Sequence, residues 1–560
     1  MANRTFGHNQ QINMSKSFKI LLLVCIALTS SKGQKLLSKD HINEVISIQT
    51  VRDYAVSGSI LPFSLKVFDV NDNQPSRLSK VAYVQLLNPK NQEVFRTSIS
   101  LKNDLSEGQI ELPDSLGTGI YELIAYTSWM RNFGQSTFGR KPISVINTFE
   151  KPKEIKAADP TNSTSNFIEI KLASDKLKTR QHNQISLKSE RAAQVSVSIF
   201  RVDQLVKPSH FEFEKPPFPE QFEFKYLPEY EGKRIQGKLI QLSTKKPLPY
   251  SNLYISIPEK PVRYFSTQTD SSGHFGLEIP NFYGDKELFF STLEKDAAIE
   301  LDDSFKKELI IQTEHPFTSK AKTDSTDLAL YHLSNQISKT YLKDSTAQIE
   351  IKSHPFYTQA SVRYDLDNYV RFPTVEDIFR EFVSEVYVRK ETGGTKIQVK
   401  ELTTDIPFPG QPLVLYDGVP VNDFDQLLRY NPKDLKYLDV LREPYYHHKE
   451  VYNGLIAFYS KNGNLPEFKL DQSVSIMDVA GTQLNHLTTQ SNQSDPHFPD
   501  FRTQLLWISE MKLEPGKEFT FPFQTSEITG TFVIEVKGFD ELLNPIISRK
   551  DFVVKRIEDQ

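Results

Sequence analysis

One cysteine occurs in the 560 residues, Cys25, and it sits inside an apolar run near the N-terminus. If that run is removed, no thiol remains. Disulfides, a Cys nucleophile, a thioester and Cys-ligated zinc or iron–sulfur centres are then unavailable. The fold has to be held by apolar burial and backbone pairing.

The surroundings of Cys25 explain the run. Met14-Ser-Lys-Ser-Phe-Lys19 is short and basic, Ile20 to Leu28 is apolar, and Thr29 to Gly33 is a small polar exit. This is the pattern of a secretory signal peptide over residues 1–33, with Met14 the better start and cleavage near Gly33–Gln34. The run is too short to span a bilayer comfortably. Leu22-Leu-Val-Cys25 is a faint lipobox, but Val precedes the Cys and the apolar run continues past it, so cleavage is favoured over lipidation. Removing residues 1–33 takes away Arg4, Lys16, Lys19 and Lys32 and no acid, moving the formal net charge from −4 to −8. With no long basic cluster, nucleic acid is not expected as a partner. No second apolar run approaches membrane length, so the mature chain carries no expected transmembrane segment. The expected location is the periplasm or the outer membrane.

The body of the chain alternates in the manner of strands. Val81-Ala-Tyr-Val-Gln-Leu-Leu87 and Gly119-Ile-Tyr-Glu-Leu-Ile-Ala-Tyr126 are separated by turns at Asn88-Pro-Lys-Asn91 and Pro113-Asp-Ser-Leu-Gly117. Turns roughly every ten residues are the sandwich signature. The texture recurs at Phe167, Ile168 and Ile170 with Val195, Val197 and Ile199. It recurs again at Leu253, Ile255 and Ile257, and at Phe532-Val-Ile-Glu-Val536. Residues 157–165 form a polar linker. Residues 207–228, crowded with Pro, Phe and Glu, read as an extended connector.

One stretch is different. Thr374-Val-Glu-Asp-Ile-Phe-Arg-Glu-Phe-Val383 is the best helix, with Thr374 as N-cap, Asp377 in the capping-box position, and Val375, Ile378, Phe379 and Phe382 on one face. Strands at Ile397–Val399 and Pro412–Tyr416 follow, then the Asp417-Gly418 turn, a short helix over Asp423–Leu428 and a strand ending at Leu441.

Chemistry-bearing motifs are scarce. His447-His-Lys-Glu450 contains H-x-x-E, half of a carboxypeptidase-type zinc site, but His486 and His497 lack the supporting context. It reads as an exposed loop with coincident His. Asp365, Asp367 and Asn368 lack the Gly and bidentate Glu of an EF-hand and read as a solvated turn. No G-x-S-x-G, P-loop or H-E-x-x-H is present. Trp129 and Trp507 read as core or inter-strand anchors. Asn162-Ser-Thr164 is a glycosylation sequon, and Asp114-Ser-Leu116, Asp324-Ser-Thr326 and Asp344-Ser-Thr346 are short O-glycosylation-like patterns.

Several segments together resemble one architecture. Ser79 to Pro89, Leu112-Pro-Asp-Ser-Leu116 and Gly119 to Gly134, with Ala125-Tyr-Thr-Ser-Trp-Met-Arg-Asn132 the most specific, resemble the macroglobulin-type sandwich of large Bacteroidota envelope proteins. Leu227-Pro-Glu-Tyr-Glu-Gly232, Gly237-Lys-Leu239, Pro249-Tyr-Ser-Asn-Leu253 and Thr269-Asp-Ser-Ser-Gly-His-Phe275 resemble the carboxypeptidase regulatory-like, transthyretin-type sandwich, which is not catalytic. Phe372 to Val383, Pro412-Leu-Val-Leu-Tyr-Asp-Gly-Val-Pro-Val421 and Asn431-Pro-Lys-Asp-Leu-Lys-Tyr-Leu-Asp-Val-Leu-Arg-Glu-Pro444 resemble the plug domain of TonB-dependent outer-membrane receptors. Pro499 to Trp507 resembles the entry to a further macroglobulin-like sandwich.

The resemblance implies a mainly β fold of tandem β-sandwiches, macroglobulin/immunoglobulin-like and transthyretin-like, with one small α/β plug-like domain. The expected division is a signal peptide at 1–33, sandwiches at 34–150, 160–226 and 227–315, a helical connector at 316–354, the plug-like domain at 355–465 and a C-terminal sandwich at 466–560. A receptor of that family follows its plug with a barrel of about 22 strands, each needing 9–11 residues. About 95 residues follow position 465, so a plug without its own pore is expected.

The functional expectation is a non-enzymatic envelope scaffold that docks partners through sandwich edges and the plug-like domain, linked to outer-membrane transport or secretion. Its partners would be outer-membrane or periplasmic proteins, with a TonB-dependent or secretion barrel as the candidate. No cofactor, metal or catalytic residue is expected. Asp417 and Gly418 (turn) with Asn431 and Pro432 (entry to the last plug segment) are the motif residues. Two rivals are a soluble plug or gate subunit of an outer-membrane translocon, and a macroglobulin-like protease inhibitor without a thioester, whose bait could only be 207–228.

Overall fold

The computed structural model describes residues 35–37, 42–101, 106–150, 155–156, 167–202, 215–311, 318–319, 325–341, 356–470, 474–483 and 499–556, apart from positions 260, 358, 393, 448, 464, 466 and 467. The signal-peptide run, the 157–165 linker, the Asn162 sequon, Asp324, the Asp344 pattern, and His486 and His497 lie outside the described residues. The chain is mainly β. It divides into two compact units: residues 1–230, 307–347 and 485–560, and residues 231–306 and 348–484.

The first unit holds two sandwiches. In the first, the strand Ile60–Asp69 pairs with Glu44–Thr50 on one side and with Ser106–Glu111 and Gln74–Pro75 on the other. The facing sheet runs Tyr54–Val56, Gly139–Ile146, Gly119–Thr127, Val81–Leu87, Glu93–Ser100. The sheets approach so closely that a Cβ on Gly139 would lie 2.4 Å from the Ile46 carbonyl oxygen. Glu44, fully buried between them, is satisfied as an acceptor by Ser79 N (3.1 Å), Ser79 Oγ (2.7 Å), Ser76 Oγ (2.7 Å) and Thr127 Oγ1 (2.7 Å). A buried carboxylate persists when its lone pairs are filled in this way.

The second sandwich corrects the expected division. Residues 160–226 and 466–560 were expected to form separate sandwiches, but their strands share sheets. One sheet is Ile168–Leu172, His182–Ser189, Glu518–Gln524. The other is Lys176–Lys178, Pro545–Lys555, Gly530–Asp540, Ala193–Arg201, Gln504–Leu513. Val195, Val197 and Ile199 from one segment and Phe532, Ile534 and Val536 from the other lie in one core. Alternation reveals that a strand has a buried face; it carries no label for a partner 300 or so residues away.

Residues 215–228, the described part of the 207–228 stretch expected as an extended connector, carry one short strand, Gln221–Glu223, and are otherwise without regular structure. The Trp129–Asn132 3₁₀ turn holds them. Trp129 packs edge-on against Phe222 and Phe224 and donates from Nε1 to Ile42 O at 2.7 Å. Asn132 donates to Tyr226 O at 2.7 Å and accepts from the Tyr226 and Lys225 amides at 2.8 and 3.0 Å. The helix Ser325–Tyr341 also belongs to this unit.

The second unit contains a sandwich and an α/β domain. One sheet of the sandwich is His274–Pro280, Gly232–Gln241, Ala297–Leu301; the other is Arg263–Gln268, Asn252–Ile257, Asp285–Thr292, Val474–Ala480. The last strand comes from beyond the α/β domain, so that domain is inserted into the sandwich. This again departs from the 466–560 assignment. The α/β sheet runs Val362–Asp365, Leu435–Leu441, Leu455–Ser460, Leu413–Tyr416, Val419–Pro420. The helices Val375–Glu381 and Phe424–Arg429 lie against it, burying Val375, Ile378, Phe379, Leu427 and Leu428. The Thr374 cap forms as the sequence suggests: Thr374 Oγ1 accepts from the Asp377 amide (3.2 Å) and donates to the Asp377 carboxylate (2.7 Å).

Candidate docking site

The sequence-derived motif residues are structural. Asp417 and Gly418 make the two-residue turn between Leu413–Tyr416 and Val419–Pro420, both with positive φ, as a type I′ hairpin turn requires. The Asp417 carboxylate is buried and accepts from Ser460 N (2.7 Å), Ser460 Oγ (2.6 Å) and Leu465 N (2.9 Å). Gly418 lies against Val262 of the sandwich, where an added Cβ would come within 2.0 Å of Cγ1. Asn431 caps the next 3₁₀ turn by accepting from Lys433 N at 3.1 Å, and buried Pro432 offers its carbonyl to Arg371 at 3.1 Å. Asp417, Gly418 and Pro432 are buried, and the exposed Asn431 spends its side chain on the turn. Asp365 and Asp367 lie in the solvated turn that was expected: Asp365 caps the turn, and the exposed Asp367 is held below the usual carboxylate range by Lys436 and Arg371.

The His447–Glu450 pair is also not the exposed loop that was expected. Tyr445–His447 and Glu450–Tyr452 form a hairpin in which His447 is opposite Glu450 and Tyr445 opposite Tyr452. Period-two geometry puts these four on one face. That face meets the sandwich. The Glu450 carboxylate accepts from Asn252 Nδ2 (2.6 Å), the Tyr254 hydroxyl (2.7 Å) and the Tyr452 hydroxyl. Burial and the bond to Glu450 push Tyr254 up to about 12. His447 packs on Tyr264 with ring centroids 4.8 Å apart, and Tyr264 stacks on Tyr254 at 6.0 Å. Close by, buried Asp439 takes a two-pronged bond from Arg363 (2.6 and 2.6 Å) and one from Tyr357 (2.6 Å). Sequence reading missed these tyrosines. The signal was present in the spacing Tyr445-x-His447 and Glu450-x-Tyr452, which places a carboxylate among three ring-bearing side chains. No group of three His, Cys, Asp or Glu side chains able to hold a metal ion occurs among the described residues.

Two strands of the second unit carry apolar side chains out to solvent. On the outer face of the hairpin, Tyr446 and Val451 are direct cross-strand neighbours, 73% and 57% exposed. The strand Val474–Ala480 ends its sheet and is paired only to Asp285–Thr292 among the described residues. Its Met477 and Val479 pack against the core, while Ile476 is 51% exposed. A row of backbone donors and acceptors along an unpaired edge is a template for an added strand.

No protein-family model matches the sequence, and no curated protein matches it. Among solved structures the chain is similar to Salmonella alpha-2-macroglobulin reacted with methylamine: 8% identity, 92% of this chain and 40% of that one, TM-score 0.25. Trypsin-activated alpha-2-macroglobulin from Escherichia coli gives 8% identity, 92% and 42% coverage, and a TM-score of 0.24. Dimeric latent PorU from Porphyromonas gingivalis gives 10% identity, 47% and 33% coverage, and a TM-score of 0.17. The chain spans about two fifths of the length of the macroglobulins. Likeness at this level assigns no activity. Among the described residues, no helix is long and apolar enough to cross a membrane.

Proposed function

We propose that this chain is a non-enzymatic envelope scaffold that docks a periplasmic or outer-membrane partner by strand addition. The observation that carries the reading is the open edge at Val474–Ala480, with Ile476 turned outward on it. In this reading the α/β domain, which resembles a receptor plug, supports the edge and does not act as a pore. Its signature residues Asp417, Gly418, Asn431 and Pro432 are spent on its own turns. The protease-inhibitor alternative draws less support. The described half of its only bait candidate, residues 215–228, is tied down by Trp129 and Asn132.

The test is affinity purification of the full chain from its native envelope, with mass spectrometry of what is retained. Ile476→Lys places a charge on the edge and is expected to remove the retained partner while leaving the thermal transition unchanged. Retention of the same partner by Ile476→Lys and by a Tyr446→Lys control alike would reject edge docking.

A further inference from the structure

The two sandwiches of the first unit meet across one face of the strand Ile60–Asp69. On that face Ser64 donates to Ser509 O of the second sandwich at 3.5 Å, and Phe68 packs edge-on against Phe539 with ring centroids 5.5 Å apart. Lys66 stands between them and, at a spacing of two, points the same way. Its side chain is 3% exposed, and its Nζ makes no hydrogen bond or ion pair among the described residues. Glu510 and Lys512, on the second sandwich's strand Gln504–Leu513, act on it only through their fields, in opposite senses.

Lys66 lines a cavity of about 20 Å³ at this junction. Two lysines, Lys66 and Lys80, are in its wall, and no carboxylate is. Ser76 and Ser79 also line it, but their hydroxyls donate to Glu44, which is already filled by four donors. Ser106 and Gln194 add a hydroxyl and an amide whose side chains make no other hydrogen bond among the described residues. The rest of the wall is apolar. A buried ammonium is costly unless it is both paired and hydrogen-bonded. Water offers it a lone pair; an anion offers a lone pair and the opposite charge. Size narrows the choice. One water needs roughly 10–15 Å³, so the cavity admits a single small species and shuts out sulfate and phosphate.

We propose that this cavity is a binding site for a small monovalent anion of the chloride class, with the Lys66 ammonium as counter-charge and Ser106 and Gln194 completing the donor set. Lys66 and Ser106 belong to the first sandwich, on Ile60–Asp69 and Ser106–Glu111, and Gln194 belongs to the second, on Ala193–Arg201. The anion therefore ties the two sandwiches together at their junction. Gln49, on the same face and also without a partner for its side-chain amide among the described residues, does not line the cavity. Lys66 is thus the group the site is built around.

The experiment uses the full chain and the halides themselves, at slightly acid pH, where Lys66 is charged. With ionic strength held constant by gluconate, chloride and bromide should raise the thermal transition, and the chloride NMR line should broaden in proportion to the protein present. Sulfate should not reverse the broadening. Lys66→Met removes the charge at nearly constant volume and should weaken chloride binding about tenfold or more, the loss expected for a hydrogen bond to a charged group. Gln194→Ala should weaken it too, and serves if Lys66→Met does not fold. A crystal soaked in bromide should show the anomalous peak within hydrogen-bond distance of Lys66 Nζ. An equal chloride response in parent and Lys66→Met, a response that Gln194→Ala leaves unchanged, or water alone beside Nζ in the bromide crystal would each overturn the proposal.

Discussion

The Lys537 ammonium lies 2.8 Å from the Glu535 carboxylate, and both side chains are almost wholly buried. Lys537 also donates to Thr50 O at 3.1 Å, so this pair in the second sandwich grips the first. Arg549 reaches the same carboxylate at 2.6 Å. Burial works against the charge on Glu535, but Lys537 and Arg549 outweigh it and hold the carboxyl below its usual range. A carboxyl with a depressed folded-state pKa contributes stability that is present above its unfolded value of 4.5 and lost as pH falls through the folded value. Glu535→Gln is expected to cost about 3–5 kcal/mol at neutral pH, since it leaves the buried Lys537 and the half-buried Arg549 short of a partner. It should also flatten acid destabilisation below pH 4.5. Urea denaturation across pH 3–7 measures both.

Lys66 is 3% exposed on the strand Ile60–Asp69, and its Nζ has no hydrogen-bond partner among the described residues. Burial lowers it to about 8, against an opposing pull from Glu510 and a smaller push from Lys512. The unfolded chain holds this proton up to about 10.5, so between about pH 8 and 10.5 it binds more protons than the folded one, and stability from this group rises with pH. The rise amounts to about 3 kcal/mol over that window. Lys66→Met should remove it. Parent and variant melts compared at pH 7.5 and 10 read out the difference; parallel curves would sink the assignment.

Trp129 anchors residues 218–226 through Phe222, Phe224 and the Ile42 carbonyl. Trp129→Ala is expected to cost about 3–5 kcal/mol and to open this stretch to proteases that leave the parent chain whole there. Limited proteolysis with mass mapping of the first cuts checks it.

Gly418 has φ +84 and faces Val262. Gly418→Ala is expected to destabilise the second unit by about 1–2 kcal/mol for the backbone alone, with the Val262 clash added. Val262→Ala should recover the clash part only, leaving a coupling measurable in a double-mutant cycle.

The sequence made local structure legible where the physical signal is itself local. The Thr374 cap, the Asp417-Gly418 turn and the strand Val81–Leu87 each follow from a few adjacent residues, and each forms. What stayed hidden was pairing at a distance. Nothing in Ala193–Arg201 names Gly530–Asp540 as its neighbour, and nothing in Val474–Ala480 says that it completes a sheet begun near residue 252. The tyrosines around Glu450 stayed hidden for the same reason: Tyr254 and Tyr452 are 198 positions apart and meet only through the hairpin. The four motif residues of the α/β domain were legible as a pattern, but side chains spent on their own turns mark a fold and not a binding surface.

The second sandwich is assembled from strands on either side of the second unit. During synthesis its first half, ending at Arg201, waits for roughly 300 more residues, or about 15–60 s at 5–20 residues per second. For that interval, Val195, Val197 and Ile199 have no sheet to join. The second unit can close first, because all of its strands are then already made. Long-range pairing of this kind is slow, and the waiting strand offers an open apolar edge to any neighbour. The order of synthesis therefore leaves an apolar strand without its partners until residues 504–555 have emerged.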